Sequence, residues 1–498
     1  MTLCTTPALE PIRPAYRLRI LDDGQIAQLK RATLELLDEV GIHCPSAAAQ
    51  AIYAGAGARL DRETGVVRLP PDLVVEAMAR APRQYVLGAR SPDHDLVLDG
   101  SAFYCATDGC GTETVDAATR QRRPSVKADV AAMARVADRL SSIGFYWPMV
   151  SAQDHPACAP LHEMDASFRN TVKHVQTETV MGARMARYAV EMAQVVAGDT
   201  ETLRRRPPLS SLICTIAPLA HDAGGMEAAL AFAAAGLPVG FMSMANAGST
   251  APASLAGTVA MADAEIVSAM VLVQLAHPGA PVYHSLMPGI MHPRTGGYLA
   301  TAWEGELLYA IGVEMAHAWG VPALAGVFGT DATVPGWQQA AESASCLLLC
   351  ALCGAEMGAG MGLLEGCTLL YPEAIILDSD VYHRVRCDAA GLDTGPEALA
   401  LDVVKAVGPR GHFLLQRHTR THLRRRQFSD LVAQPDPEGF RDPLSVAREK
   451  VEAILADHRP LPLDGAQLAE LDRILAAAEE ELSGSNGPHT STPRGESR

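Results

Sequence analysis

The chain has 498 residues, 48% of them hydrophobic and 20% charged, the balance of an ordinary soluble globular protein and a length that admits a (β/α)8 barrel with extensions. With 41 Lys+Arg against 57 Asp+Glu the net charge is −16, which repels a phosphate backbone and argues against nucleic acid as a partner. The 11 cysteines are scattered through apolar surroundings, so a secreted disulfide framework is excluded and reduced thiols are expected.

The opening 15 residues are proline-rich and lack the apolar core of a signal peptide, so a cytoplasmic location is expected. Ile26, Leu29, Leu34, Leu37 and Val40 recur at helical spacing, and Gly41 stops the pattern. Ser46 is placed to cap a second helix, "GVVRLP" reads as a short strand, and "PPDLVVEAMARAP" as a helix opened by prolines. Residues 1–100 therefore read as an N-terminal helix–strand extension.

Short β-like runs then alternate with longer alanine-rich helical stretches. The runs are 143–150, 172–178, 209–216, 237–244, 281–287 and 322–328, with a seventh at 355–362 and an eighth at 411–416. The repeat length suits one βα unit, and helices hand over to strands through Gly-x-Pro, where Gly ends a helix and Pro cannot continue it. Strands apolar on both faces and joined by helices imply a parallel sheet covered on each side. Seven or eight units, without a G-x-G-x-x-G after the first strand, favour a closed α/β TIM barrel over an open dinucleotide-binding sheet. The barrel is expected over 101–430, two C-terminal helices packed on it over 431–484, and a disordered tail over 485–498. The stretch "IVSAMVLVQLA" is too short to span a membrane, and no membrane association is expected.

"CLLLCALC" places Cys346, Cys350 and Cys353 in a C-x3-C-x2-C pattern. The spacing matches an iron–sulfur site of a radical S-adenosylmethionine enzyme, a remote alternative. Positions i, i+4 and i+7 also share one face of a helix, and free cysteine packs as a small hydrophobe, which favours a core helix. Neither Cys105-x4-Cys110 nor the histidines around 155–162 make a good four-ligand set, so no metal site is expected.

The reactive groups of a TIM barrel gather at the C-terminal ends of its strands. That rule selects Glu178, Asp331 and Glu356 as acidic candidates for catalysis. Tyr146, Trp147, Tyr283, Phe328 and Trp337 are the aromatic candidates for binding substrate, with His284 to meet any carboxylate that the substrate carries. Gly358, Gly360 and Gly362 make a small-residue stretch that would admit a second body, or else serve tight strand–helix packing. His418 and His422 stand at i and i+4, a pair that lacks a third ligand.

Five stretches in order, 36–82, 246–285, 320–362, 406–430 and 447–475, resemble the trimethylamine methyltransferase family over nearly the whole chain. The resemblance implies a TIM-barrel methyltransferase (EC 2.1.1.-) that moves a methyl group from a methylated amine to the cobalt of a separate corrinoid protein, and a homo-oligomer is expected. The trimethylamine branch carries pyrrolysine, and this chain holds only the standard twenty residues. It is therefore more similar to the branch that includes glycine betaine methyltransferase, and the expected substrate is a quaternary, betaine-like amine. None of the 16 histidines has Asp two residues before it, so the chain lacks D-x-H-x-x-G. Cobalamin is expected on a partner and not bound tightly here. A non-catalytic barrel that binds small ammonium compounds is the alternative.

Overall fold

Eight strands run parallel through the centre of the chain: β1 (Tyr104–Thr107), β2 (Ile143–Tyr146), β3 (His174–Thr177), β4 (Leu209–Cys214), β5 (Val239–Ser243), β6 (Val282–Leu286), β7 (Leu324–Gly326) and β8 (Met357–Met361). The structure is a computed structural model that describes residues 6–109, 111–117, 119–425, 428–429, 431–432 and 439–483. The tail expected to be disordered lies outside the described residues. Hydrogen-bonded neighbours follow the order β6-β5-β4-β3-β2-β1-β8-β7. A parallel bridge between His284 and Ala323, with the His284 N–H donating to the Pro322 carbonyl at 3.0 Å, joins β6 to β7 and closes the ring. The architecture is the expected TIM-like barrel.

Outside each strand lies a helix: α1 (Lys127–Arg139), α2 (Ala159–Asn170), α3 (Gly182–Ala197), α4 (Ala223–Ala235), α5 (Leu255–Ala276), α6 (Gly305–Trp319), α7 (Trp337–Cys353) and α8 (Ala374–Ala389). Gly236 and Gly320 end α4 and α6 at φ 83° and 80°, a left-handed conformation in which a side chain would be strained. Each stands two residues before a proline that opens the approach to the next strand.

Seven of the eight expected strands are present, and one is corrected. The run at 411–416 is a turn leading into the helix Arg417–Arg425, with Phe413, Leu414 and Leu415 exposed. The eighth strand is instead β1, four buried residues that pair with both β2 and β8. Since β1 to β8 already close the ring, a later run has no free edge to join.

α5 extends well beyond the apolar run 266–276. At 22 residues it is long and apolar enough to cross a membrane by length and composition, but nearly all of it is buried in protein. The N-terminal helices Asp23–Glu35, Ala47–Gly55 and Pro71–Met78 cover its outer face. Buried polar contacts fix the docking: the Thr33 hydroxyl donates to Asp263 at 2.6 Å, and the Tyr53 hydroxyl donates to the Ser268 carbonyl at 2.8 Å. An all-round apolar helix is what such double coverage demands.

The cysteines at 346, 350 and 353 lie buried along α7. The Cys346 thiol donates to the Gly326 carbonyl, and burial pushes the Cys353 thiol up to about 12. Cysteines spread along a packed helix do not converge on one open iron face, so the iron–sulfur alternative is set aside.

Candidate functional site

A cavity of about 240 Å³ opens at the C-terminal ends of the barrel strands. That is below the range of about 300–1,000 Å³ usual for drug-sized ligands. A larger groove, between α8 and the helix Pro443–Asp457, lies on the outer surface away from the strand ends.

The residue that follows each of the first three strands supplies the cavity's chemistry: Asp108 after β1, Trp147 after β2 and Glu178 after β3. Met242 and Met244 line it from β5, Met287 from the end of β6, Gly326 from β7 and Gly360 from β8. The hairpin Gly289–Met291 with Tyr298–Leu299 pairs against Asn246–Ala247 and brings Tyr298 over the cavity, where it meets Tyr309 of α6. A turn after β8 adds Gly366, Cys367 and Thr368.

Strand alternation explains which candidates face inward. On β3 the side chains of His174, Gln176 and Glu178 project to one side. His174 bonds Ser210 at 2.8 Å, Gln176 accepts from the Tyr283 hydroxyl at 2.8 Å, and Glu178 accepts from the Cys214 thiol at 2.8 Å. These pairs form successive layers of the barrel filling, and the topmost borders the cavity. Burial holds His174 down at about 4, hence neutral.

Asp108 is 5% exposed. Its Oδ1 accepts from the Gly109 N–H at 2.9 Å, while Oδ2 is buried and receives no N–H or O–H donor. Burial raises its carboxyl to about 6, and the nearby Glu178 charge adds to the rise, against hydrogen bonds from the Cys367 thiol and the Gly109 N–H. Burial also raises the thiols of Cys214 and Cys367, and the Glu178 and Asp108 charges add to it. Both sulfurs are thus donors toward carboxylates and not nucleophilic thiolates. The Tyr298 hydroxyl donates to the Met287 carbonyl at 3.2 Å, and that of Tyr309 to the Ala300 carbonyl at 2.8 Å.

Of the residues singled out in the sequence, the structure brings Trp147, Glu178 and Gly360 to the cavity. Asp331 stands beside it and accepts from the N–H of Ala300 and the N–H and hydroxyl of Thr301. It holds the loop that follows Tyr298. Tyr283 lies one layer below, its hydroxyl donating to Gln176 and the Ser211 carbonyl.

The others are elsewhere. Tyr146 points outward to the Val130 carbonyl of α1, because its neighbour Trp147 points inward. His284 likewise faces out, bonding Asp263 of α5 at 2.9 Å, so it cannot meet a substrate carboxylate. Glu356 precedes β8 and sits at the opposite end of the barrel, bonded to His317 and the Ala323 N–H. Phe328 is buried away from the lining, and Trp337 is 85% exposed at the start of α7. A Cβ on Gly358 would meet Phe103 at 2.4 Å and one on Gly362 would meet Met149 at 2.5 Å, so these two serve packing. His418 and His422 stack on an exposed helix beside Glu397. Of the histidines weighed in the sequence, His155 and His162 come together with Glu479, which the sequence did not suggest, where the last helix meets α2. Within it, the Nδ1 of His162 is already engaged by Lys127 at 3.0 Å.

Asp108, Tyr298, Tyr309, the methionines and Cys367 were not foreseen. Asp108 had a signal: a short buried-looking run, "FYCAT", broken by Asp-Gly. Tyr298 and Tyr309 had none, since a loop and a helix bring them to the strand ends.

The family model described as trimethylamine methyltransferase (MTTB) matches residues 4–483. The trimethylamine methyltransferase MttB of Desulfitobacterium hafniense is 32% identical over 473 residues, 94% of this chain and 95% of that protein. A glycine betaine methyltransferase from the same species is 27% identical over 482 residues, 94% of this chain and 98% of that protein. Among solved structures, the Methanosarcina barkeri monomethylamine methyltransferase MtmB aligns with TM-score 0.48 and 10% identity over 95% of this chain and 96% of that chain. With a family match that spans the barrel, the cavity and the terminal helices, this chain belongs to the trimethylamine methyltransferase (MTTB) family and is a methyltransferase.

Proposed function

We propose that this methyltransferase takes a methyl group from a quaternary ammonium compound and passes it to the cobalt of a corrinoid held by a separate protein. One observation carries the reading: Trp147, Tyr298 and Tyr309 converge with Asp108 and Glu178 around one small cavity at the strand ends. A quaternary nitrogen has no N–H to donate. Its recognition therefore rests on aromatic faces, polarizable sulfur and carboxylates at a distance, which is the set present here.

Transfer from such a donor releases a neutral tertiary amine, so no general acid is required of the protein. The residues of the chain bind the cation, orient one methyl toward the mouth and exclude water. The Asp108 carboxylate and the hydroxyls of Tyr298 and Tyr309 are held by backbone groups, and Glu178 by the Cys214 thiol, before substrate arrives, which limits the cost of ordering.

The rim suits approach by a flat macrocycle. A Cβ built on Gly329 meets no atom within 4 Å, and one on Gly366 comes no closer than 3.7 Å to Asp331. Gly329 and Gly366 would thus face the ring with little side chain between, whereas a Cβ on Gly360 would fall 2.6 Å from the backbone of Phe328 and Gly329, so Gly360 lets these strands pack closely. When docked, the partner's corrinoid supplies a strongly nucleophilic cobalt.

The test mixes the purified chain, a corrinoid protein reduced to the Co(I) state and a panel of quaternary amines. The expected result is a change in the visible spectrum of the cobalt that depends on both chain and amine. A spectrum that stays unchanged across the panel, with a partner shown to be competent, would sink the proposal.

A further inference from the structure

We infer that Asp108 and Glu178 set the class of ammonium compound accepted, by favouring a cation that carries no carboxylate and disfavouring betaines. The inference deepens the methyl-donor reading above and rests on it.

Among the described residues that line the cavity there is no Lys, Arg or His. The histidine expected to meet a carboxylate, His284, is outside the barrel and hydrogen-bonded to Asp263. The charged side chains that do line the cavity are both acidic. Asp108 is almost wholly buried, and its Oδ2 has no N–H or O–H donor. Glu178 accepts from the Cys214 thiol at 2.8 Å and borders the cavity.

A cation entering this space gains attraction to the carboxylates and the faces of three aromatic rings, in surroundings that screen charge far less than water does. A betaine brings its own carboxylate. Inside the cavity that group would lose its hydration, find no basic partner and be repelled by Asp108 and Glu178. Its remaining course is to leave the carboxylate outside the mouth, which constrains how the N-methyl groups sit. A tetraalkylammonium ion, or one with a neutral hydroxyl arm, meets no such conflict.

Binding is measured on the purified full-length chain without any corrinoid partner, by calorimetry and by Trp fluorescence. The probes are tetramethylammonium, choline and glycine betaine. Tetramethylammonium and choline are expected to bind roughly tenfold or more tightly than glycine betaine. In Asp108→Asn and Glu178→Gln, each checked for a wild-type melting curve, the two carboxylate-free cations are expected to weaken while glycine betaine does not, so that the preference shrinks. Glycine betaine binding as tightly as tetramethylammonium, or none of the three binding, would overturn the inference. So would variants that weaken all three probes equally.

The cobalt assay separates this from the parent reading. Methyl transfer that prefers glycine betaine keeps the methyl-donor function and overturns the selectivity. Binding in the expected order, with no methyl transfer to a competent partner, overturns the function and leaves the selectivity standing.

Discussion

Asp108 carries the most consequential environment of any single residue. Burial raises its carboxyl to about 6, and the groups that face it are the Cys367 thiol, the Gly109 N–H and Glu178. Above pH 6 it is an anion that attracts a cationic ligand; below pH 6 it is a neutral acid that does not. Acidification from pH 7.5 to pH 5 is therefore expected to weaken tetramethylammonium binding by roughly three- to tenfold. The same titration on Asp108→Asn should be much flatter. Calorimetry at several pH values checks this, and a wild-type affinity that rises on acidification would contradict the sign. For folding, the native state holds this proton more tightly than the unfolded chain. Its contribution to stability is present below about pH 4 and is lost as pH climbs through 6, which is a cost accepted at a binding site.

At the scale of elements, the link from β1 to β2 explains why the turn after β1 is glycine. A Cβ on Gly109 would fall 2.0 Å from the Trp147 Nε1, so the indole occupies the space a side chain would need. The Trp147 backbone N–H donates to the Thr107 hydroxyl at 2.9 Å, and that hydroxyl donates back to the Trp147 carbonyl at 2.6 Å, which fixes the residue in place. Gly109→Ala is expected to push the ring from the cavity wall, at a cost of about 1–3 kcal/mol in stability and with a shift in Trp emission. Cation affinity should fall with it. An alanine variant with unchanged emission and affinity would show that the ring is not held as described. This contact was not legible in the sequence, because Gly109 and Trp147 are 38 residues apart and meet only through strand pairing (147 − 109).

For the whole molecule, both termini act as clamps on the barrel. The last helix, Gly465–Ser483, lies along α3 and places Glu481 against Arg187 and Tyr188, Asp472 against Arg169 and Glu479 against His162. These pairs are partly exposed and each adds little. The apolar seam matters more. Leu471 is fully buried, and Leu471→Ala is expected to cost about 2–5 kcal/mol by the loss of packing and the cavity left behind. Denaturant unfolding reads this directly, and a loss below about 1 kcal/mol would mean that the helix end can collapse into the gap.

The amino-acid order by itself determined the alternation of apolar strands and helices, and with it the barrel and seven of its strands, because burial periodicity and Gly-Pro punctuation are local properties. It also pointed to the strand ends, and so to Trp147 and Glu178. Tertiary structure decided the rest. Inward and outward positions differ by one residue, so Tyr146 against Trp147 and Tyr283 against His284 were separated only once the ring closed. The first strand follows a short strand and a turn and not an alanine-rich helix with a Gly-x-Pro handover, so the strand–helix alternation did not mark it, and with it went Asp108. Tyr298 and Tyr309 reach the cavity through a hairpin and a helix whose positions depend on contacts distant in sequence, and no local pattern encodes a meeting of that kind.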